Sequence, residues 1–404
     1  MTKNPIMGLD IAQSTAVAQL DRADGTHCWH GPLATSRVGW HQLETLLATH
    51  GARLSDTLVV LEATGVYHLP WAERLHAAGA DGHVLNPLLA ARLQSAANAL
   101  REHKTDRVDV HRLCELGRLY AAALARFRYR PEPARQGLKQ LDHARRKLRA
   151  TLTNLKKSVR SHLELVFPAL LVAKIPADSA RASRILAAAP TAGAWCRLPA
   201  AEREKLAGVK QTDLDHACAD TLADDTLAQA CVPALRALLA AEQALADQLR
   251  DCDDEISPRL PAARVALIAS VPGCGERTAA VLATYLPAGF DGWGPRKKIV
   301  ARLQALFGCD PRLRQSGKWS GKVRISKRGI AAGRTALFQA AFCALSHDEE
   351  MATYYAQLRT GDGHGRRSKT HKEAMVDLIR KQLRRVVAVL CSNQPFVKKT
   401  HVAA

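Results

Sequence analysis

Four acidic residues stand where a folding chain has little reason to place them. Asp10 lies at the end of the short apolar run Ile6–Ile11, and Glu62 ends the run Thr57-Leu-Val-Val-Leu-Glu62. Asp106 and Asp109 follow in Lys104-Thr105-Asp106-Arg107-Val108-Asp109. Their i, i+3 spacing turns both carboxylates to one side of a helix. Carboxylates at two strand ends, joined by two on one helix, can converge at a sheet edge and hold paired Mg²⁺ ions. Two hard cations then clamp the attacking and leaving oxygens of an in-line phosphoryl transfer. Singly, each acid is as readily a helix cap or a surface charge. The set, in that order and on those elements, is what points to metal-dependent chemistry.

A second constellation is a serine in a basic field. Between Gly308 and Gly329 the chain carries Arg312, Arg314, Lys318, Lys322, Arg324, Lys327 and Arg328 against one acid, Asp310. Its glycines keep it from being one regular helix. The cations could hold a scissile phosphate and stabilise charge building on its oxygens. Ser316, between Gln315 and Gly317, could then act as nucleophile, with Ser320 and Ser326 as rivals within ten residues. Read from spacing alone, the same loop equally suits plain contact with a phosphate backbone. Upstream, Val271-Pro272-Gly273-Cys274-Gly275 interrupts two helical patterns and resembles a helix-hairpin-helix element. Gly273 and Gly275 in such a turn bare backbone N–H groups that suit a phosphate, or simply join two packed helices.

The elements that must position these groups fall into three stretches. Residues 1–110 alternate short β-type runs (6–11, 15–20, 57–62, 81–86) with helical patterns (38–49, 69–78, 88–100), which is α/β with a mixed sheet. A polar Gln13-Ser14 break makes the first two runs a hairpin. From Leu138 to Val166 a heptad seam runs through Leu141, Arg145, Leu148, Leu152, Leu155, Val159 and His162. A second runs from Leu235 through Leu238, Glu242, Leu245, Leu249 and Cys252 to Ile256. The pair reads as two arms of a coiled-coil hairpin or as a dimer contact. Residues 170–230, between the seams, read as short helices and loops. The expected domains are 1–130, 131–260 and 261–404, the last mainly helical.

Composition narrows the partners. With 58 Lys and Arg against 38 Asp and Glu, the 404-residue chain carries a net charge of +20. That excess is confined to residues 111–169, at +10, and 261–404, at +16, whereas 1–110 and 170–260 are slightly acidic. A chain this basic is expected to meet a polyanion. No apolar stretch approaches the ~20 residues of a membrane span, and the N-terminus lacks the pattern of a secretion signal. The ten cysteines form no CxxC pair, so structural zinc is not expected. A cytoplasmic nucleic-acid protein is the expected class.

Taken together, Gly8-Leu9-Asp10, Leu61-Glu62-Ala63-Thr64-Gly65, the Lys104–Asp109 segment, Ser270–Gly275, Gly308–Lys318 and Arg324–Gly329 resemble the DEDD transposases of the insertion-sequence 110 family, relatives of the Piv-type DNA invertases. The resemblance spans nearly the whole chain. It implies an RNase H-like (RuvC-like) first domain with Asp10, Glu62, Asp106 and Asp109 as a tetrad that binds two Mg²⁺ ions. It further implies a coiled-coil dimerisation region, and a C-terminal transposase domain whose catalytic serine corresponds to Ser316. The implied activity is cutting, exchange and rejoining of DNA strands through a serine-linked intermediate. The implied partners are DNA, a bridge RNA that selects the sites, and a homodimer that assembles into a tetramer. The alternatives are a RuvC-type metal-dependent junction nuclease, in which Ser316 only contacts phosphate, and a non-enzymatic scaffold.

Overall fold

The computed structural model describes residues 4–90, 105–222, 225–312, 315–316, 319–320, 324–360 and 368–398. The expected helix 88–100 lies largely outside them. Two compact units divide the chain, residues 1–133 and 134–404.

In the first unit a five-stranded sheet forms from β1 (Ile6–Ile11), β2 (Thr15–Asp21), β3 (His27–Ala34), β4 (Leu58–Glu62) and β5 (Asp81–Leu85). Their order is β3-β2-β1-β4-β5. The first three are antiparallel, and β4 and β5 join parallel to β1. This is an RNase H-like sheet. Strand β3 is absent from the sequence expectation because its run contains Gly31-Pro32 and two histidines, His27 and His30, where apolar residues would signal a strand. As an edge strand it tolerates the proline, which has no ladder hydrogen to give on its outer side.

The period of two along each strand divides the sheet into two faces. Met7, Leu9, Ile11, Val59 and Leu61 pack against α1 (Arg37–Thr49) and α2 (His68–Ala77), including Trp40, Leu43, Leu47, Trp71 and Leu75. The alternate residues face α3 (Asp106–Leu124), where Val60 meets Leu113 and Leu116. Glycines permit the close approach. A Cβ on Gly8 would lie 2.3 Å from the Val110 carbonyl oxygen, and one on Gly117 would lie 2.7 Å from Ile6.

In the second unit the two heptad segments fold as the long helices α4 (Pro133–Val166) and α10 (Asp225–Ile256). Arg145 pairs with Asp253 and Lys156 with Glu242. Eleven residues forward on α4 thus correspond to eleven back on α10, so the helices are antiparallel partners within one chain. Every seam position of both helices is buried or half-buried. The intervening segment, read as short helices, forms α5 (Pro168–Val172), α6 (Ala180–Ala188), α7 (Ala192–Arg197), α8 (Ala200–Ala207) and α9 (Gln211–Ala219). They share one core with the tip of the pair, in which Phe167, Ile185 and Trp195 meet Val159, Leu163 and Leu235.

The remaining core is helical. It gathers α11 (Ala262–Ala269), α12 (Glu276–Tyr285), α13 (Arg296–Leu306), α14 (Ala331–His347), α15 (Glu349–Thr360) and α16 (His371–Ser392). Between α13 and α14 lie the short strands β6 (Pro311–Arg312), β7 (Gln315–Ser316), β8 (Trp319–Ser320) and β9 (Arg324–Ile325). No described helix is long and apolar enough to cross a membrane.

Candidate active site

The carboxylate set is built by strand register and helix placement. On β1 and β4 the last registered pair is Leu9 with Leu61, so Asp10 and Glu62 are each one residue further along adjacent parallel strands. Side chains alternate, and the face shared by Gly8 and Val60 is therefore also that of Asp10 and Glu62. Helix α3 covers this face and runs against β1, with Gly117 over Ile6 and Val110 over Gly8. Asp109 directly precedes Val110 and Asp106 lies one turn before it, which puts the start of α3 at the end of the sheet that carries Asp10. The helix start is fixed by Thr105, whose hydroxyl caps the N–H of Val108 at 3.3 Å. Acids in a first helical turn also complement its dipole.

Sharing an end is not the same as closing a site. Among the described residues, no group of three or more His, Cys, Asp or Glu is close enough to hold one ion. Asp109 instead accepts a hydrogen bond from Arg112 Nη1 at 3.1 Å. Both side chains are shielded, and Arg112 Nε is a buried donor without a partner among the described residues. The donors nonetheless suit a hard divalent cation in kind, being all carboxylate oxygens. Arg112 was not anticipated, although its i+3 spacing from Asp109 is a legible signal.

The basic loop forms a β-arm. Pro311 and Arg312 pair with Ile325 and Arg324, and nested within them Gln315 and Ser316 pair with Ser320 and Trp319. Ser316 and Trp319 are therefore the innermost described pair of the arm. The base is pinned on both sides. Ser326 donates its N–H to the Asp310 carbonyl at 2.8 Å and its hydroxyl to the Asp310 carboxylate. Lys327 N–H reaches the Gly308 carbonyl, and Ile330 N–H reaches that of Leu306. Lys327 takes a left-handed conformation, φ +54°, which costs a non-glycine residue about 1 kcal/mol. Asp310 was recognised only as the one acid of the segment.

The expected phosphate contacts divide accordingly. Arg324 and Lys327 are exposed, whereas Arg312 and Arg328 are half-buried. Arg314, Lys318 and Lys322 lie outside the described residues. Gly273 is held by the fold. It has φ +87°, and a Cβ there would lie 2.3 Å from the Ala340 carbonyl oxygen. The preceding Pro272 carbonyl accepts from the buried Gln382 amide at 2.6 Å. Gly275, the N-cap of α12, is exposed with open space around its Cα.

Comparison with known proteins adds two family matches. Residues 7–168 match the DEDD transposase model of the IS110 type, described as Transposase. Residues 265–356 match the Transposase IS116/IS110/IS902 family. The chain is also 29% identical over 160 residues to the uncharacterized 43.6 kDa protein of insertion element IS110 from Streptomyces coelicolor. That match covers 39% of this chain and 36% of the relative, so it spans little more than a third of the relative's length. The two family matches together take in more than half of the 404 residues, with the carboxylate set in one and the β-arm in the other, and the chain belongs to the IS110 family of transposases.

Proposed function

We propose that this protein is a transposase that cuts, exchanges and rejoins DNA strands through a serine-linked intermediate, guided by a bridge RNA. The observation that carries the reading is Ser316 in the inner strand pair of a pinned, cationic β-arm, in a chain of a transposase family. The Ser316 hydroxyl attacks a DNA phosphorus. A P–Oγ bond forms, one bridging P–O bond breaks, and the departing strand end leaves as a hydroxyl. Attack by another strand's hydroxyl reverses the exchange and releases the serine. One phosphodiester replaces another, so no external energy source is required. Arg324 and Lys327 hold the phosphate, with Arg312, Arg314, Lys318, Lys322 and Arg328 contributing charge along the arm.

Asp10, Glu62, Asp106 and Asp109 are the residues that would hold Mg²⁺, in our reading two ions, which when bound stabilise negative charge on the reacting oxygens. The shared sheet end supports that assignment. Base pairing by the RNA would supply sequence choice, while the protein holds backbone and shape, as in other guided systems. The excess charge of residues 111–169 and 261–404 supports binding of both nucleic acids. We read 1–130 and 261–404 as the two chemical domains and 131–260 as the region that joins a homodimer, which assembles into a tetramer on DNA. Seam leucines 148, 152 and 155 support this, since the helix pair leaves them only half-buried. The site of action would be the cytoplasm.

The test is a denaturing gel of labelled element-end DNA with the protein, Mg²⁺ and the flanking RNA. A covalent protein–DNA band is expected from the wild type and not from Ser316→Ala. Cleaved DNA in both lanes without a covalent band would make the protein a RuvC-type nuclease and reduce Ser316 to a phosphate contact.

A further inference from the structure

A second concentration of positive charge lies on α16, facing Tyr354 of α15. A recess of about 260 Å³ is lined by Tyr354, Asp377, Arg380, Lys381 and Arg384. Arg380 and Arg384 are one turn apart on α16 and share a face. Lys381 is held in place, 2.8 Å from Glu350 and 4.5 Å from the centre of the Tyr354 ring. Glu350 is already shared with the buried Arg385, whose other partner is Asp348. Asp377, the one carboxylate of the recess, is taken by Lys369. Around the recess, Lys369, Arg380, Lys381, Arg384 and Arg385 thus stand against Asp348, Glu350 and Asp377, an excess of two positive charges.

Two of the cations are not satisfied by that network. Arg380 lies 3.8 Å from Asp377, too far for a hydrogen bond, and its buried Nε has no acceptor among the described residues. Arg384 is exposed and forms no ion pair among them. A buried donor left without an acceptor is unfavourable, and an anionic oxygen entering the recess would relieve it. The ring of Tyr354 and the stem of Lys381 close one side without adding negative charge.

We infer that Arg380, Lys381 and Arg384 form a docking cradle for a nucleic-acid backbone phosphate, separate from the β-arm. This rests on the reading of the protein as a nucleic-acid enzyme and adds a contact to it. The cradle's cations lie beyond residues 265–356, where the family match ends. Its role is to anchor a strand, and it takes no part in bond making.

The experiment compares full-length wild type with Arg380→Gln/Arg384→Gln by fluorescence anisotropy. The probes are a labelled duplex DNA and a labelled single-stranded RNA of matched length, titrated between about 50 and 200 mM salt. Loss of two phosphate contacts is expected to lower the slope of log affinity against log salt by about 1.8 for duplex DNA or about 1.4 for RNA. Arg384→Gln alone, an exposed side chain, is expected to lower it by about half as much with an unchanged Tm. Arg384→Lys is expected to keep the wild-type slope. A change confined to DNA assigns a DNA strand to the cradle, and one confined to RNA assigns the guide. A steep wild-type slope that the double variant leaves unaltered for both probes overturns the cradle alone. A wild type that binds neither probe overturns the transposase reading and the cradle together.

Discussion

Arg112 donates a hydrogen bond to Asp109 at 3.1 Å, and among the described residues no three His, Cys, Asp or Glu lie close enough to hold one ion. A cation entering among Asp10, Glu62, Asp106 and Asp109 must compete with that guanidinium. Arg112→Gln is therefore expected to tighten Mn²⁺ or Mg²⁺ binding about two- to fivefold, the scale of one partly shielded ion pair. Isothermal titration of the purified protein checks it. Unchanged or weaker binding would mean that Arg112 positions Asp109 for the ion.

The carboxylates depend on how closely α3 lies on β1. Gly8→Ala would drive a methyl group into the Val110 carbonyl, 2.3 Å away, at a cost of about 1–3 kcal/mol. The change should lower Tm and activity together. Gly82→Ala is the control, since nothing lies within 4 Å of its Cβ position. Cys114 reports the same event. It sits under β1, accepting the Gly8 N–H at 3.0 Å, and burial pushes its thiol well above the usual range. In the wild type it is expected to stay protonated at neutral pH and to resist thiol reagents. In Gly8→Ala, site-resolved mass spectrometry should find it labelled. Equal labelling in both proteins would contradict the proposed displacement of α3.

Much of this arrangement was legible in the chain. The run Thr57–Glu62 is continuous and apolar because β4 is buried on both faces, so its terminal acid stands out. The heptad seams were legible too, including their two charged interruptions. Arg145 and Glu242 are tolerated there because Asp253 and Lys156 reach them from the facing helix, a pairing that depends on antiparallel register and is invisible to periodicity. Strand β3 was not legible, since an edge strand needs neither apolar alternation nor freedom from proline. Nor was the base of the arm. The bond from Ser326 to Asp310 spans sixteen residues, and nothing local to either residue requires it.

The two glycines of the α11–α12 turn are expected to behave differently. Gly273→Ala meets both a left-handed backbone and the Ala340 carbonyl, so it should destabilise the fold by more than about 1 kcal/mol. Gly275→Ala has space on all sides and should leave Tm nearly unchanged while weakening DNA binding if the α12 N-terminus meets phosphate. Thermal melts beside anisotropy titrations separate the two effects. A Gly273→Ala protein with wild-type Tm would show that the turn yields to α14.

The two best-placed serines of the arm can be told apart by stability and chemistry measured together. Ser326 joins the arm's base through Asp310, and its hydroxyl also accepts the Arg328 N–H at 3.4 Å. Removing a hydroxyl bound to a carboxylate costs about 1.5–3 kcal/mol, so Ser326→Ala is expected to lower Tm and slow the reaction. The covalent protein–DNA band should persist, because the nucleophile is elsewhere. Asp310→Asn, which keeps an acceptor but removes the charge, should fall between wild type and Ser326→Ala. Ser316→Ala is expected to do the reverse, with Tm unchanged and the covalent band gone. If Ser326→Ala abolished the band and Ser316→Ala spared it, the Ser326–Asp310 pair would itself be the nucleophile and its base, and the arm's tip would be only a phosphate contact.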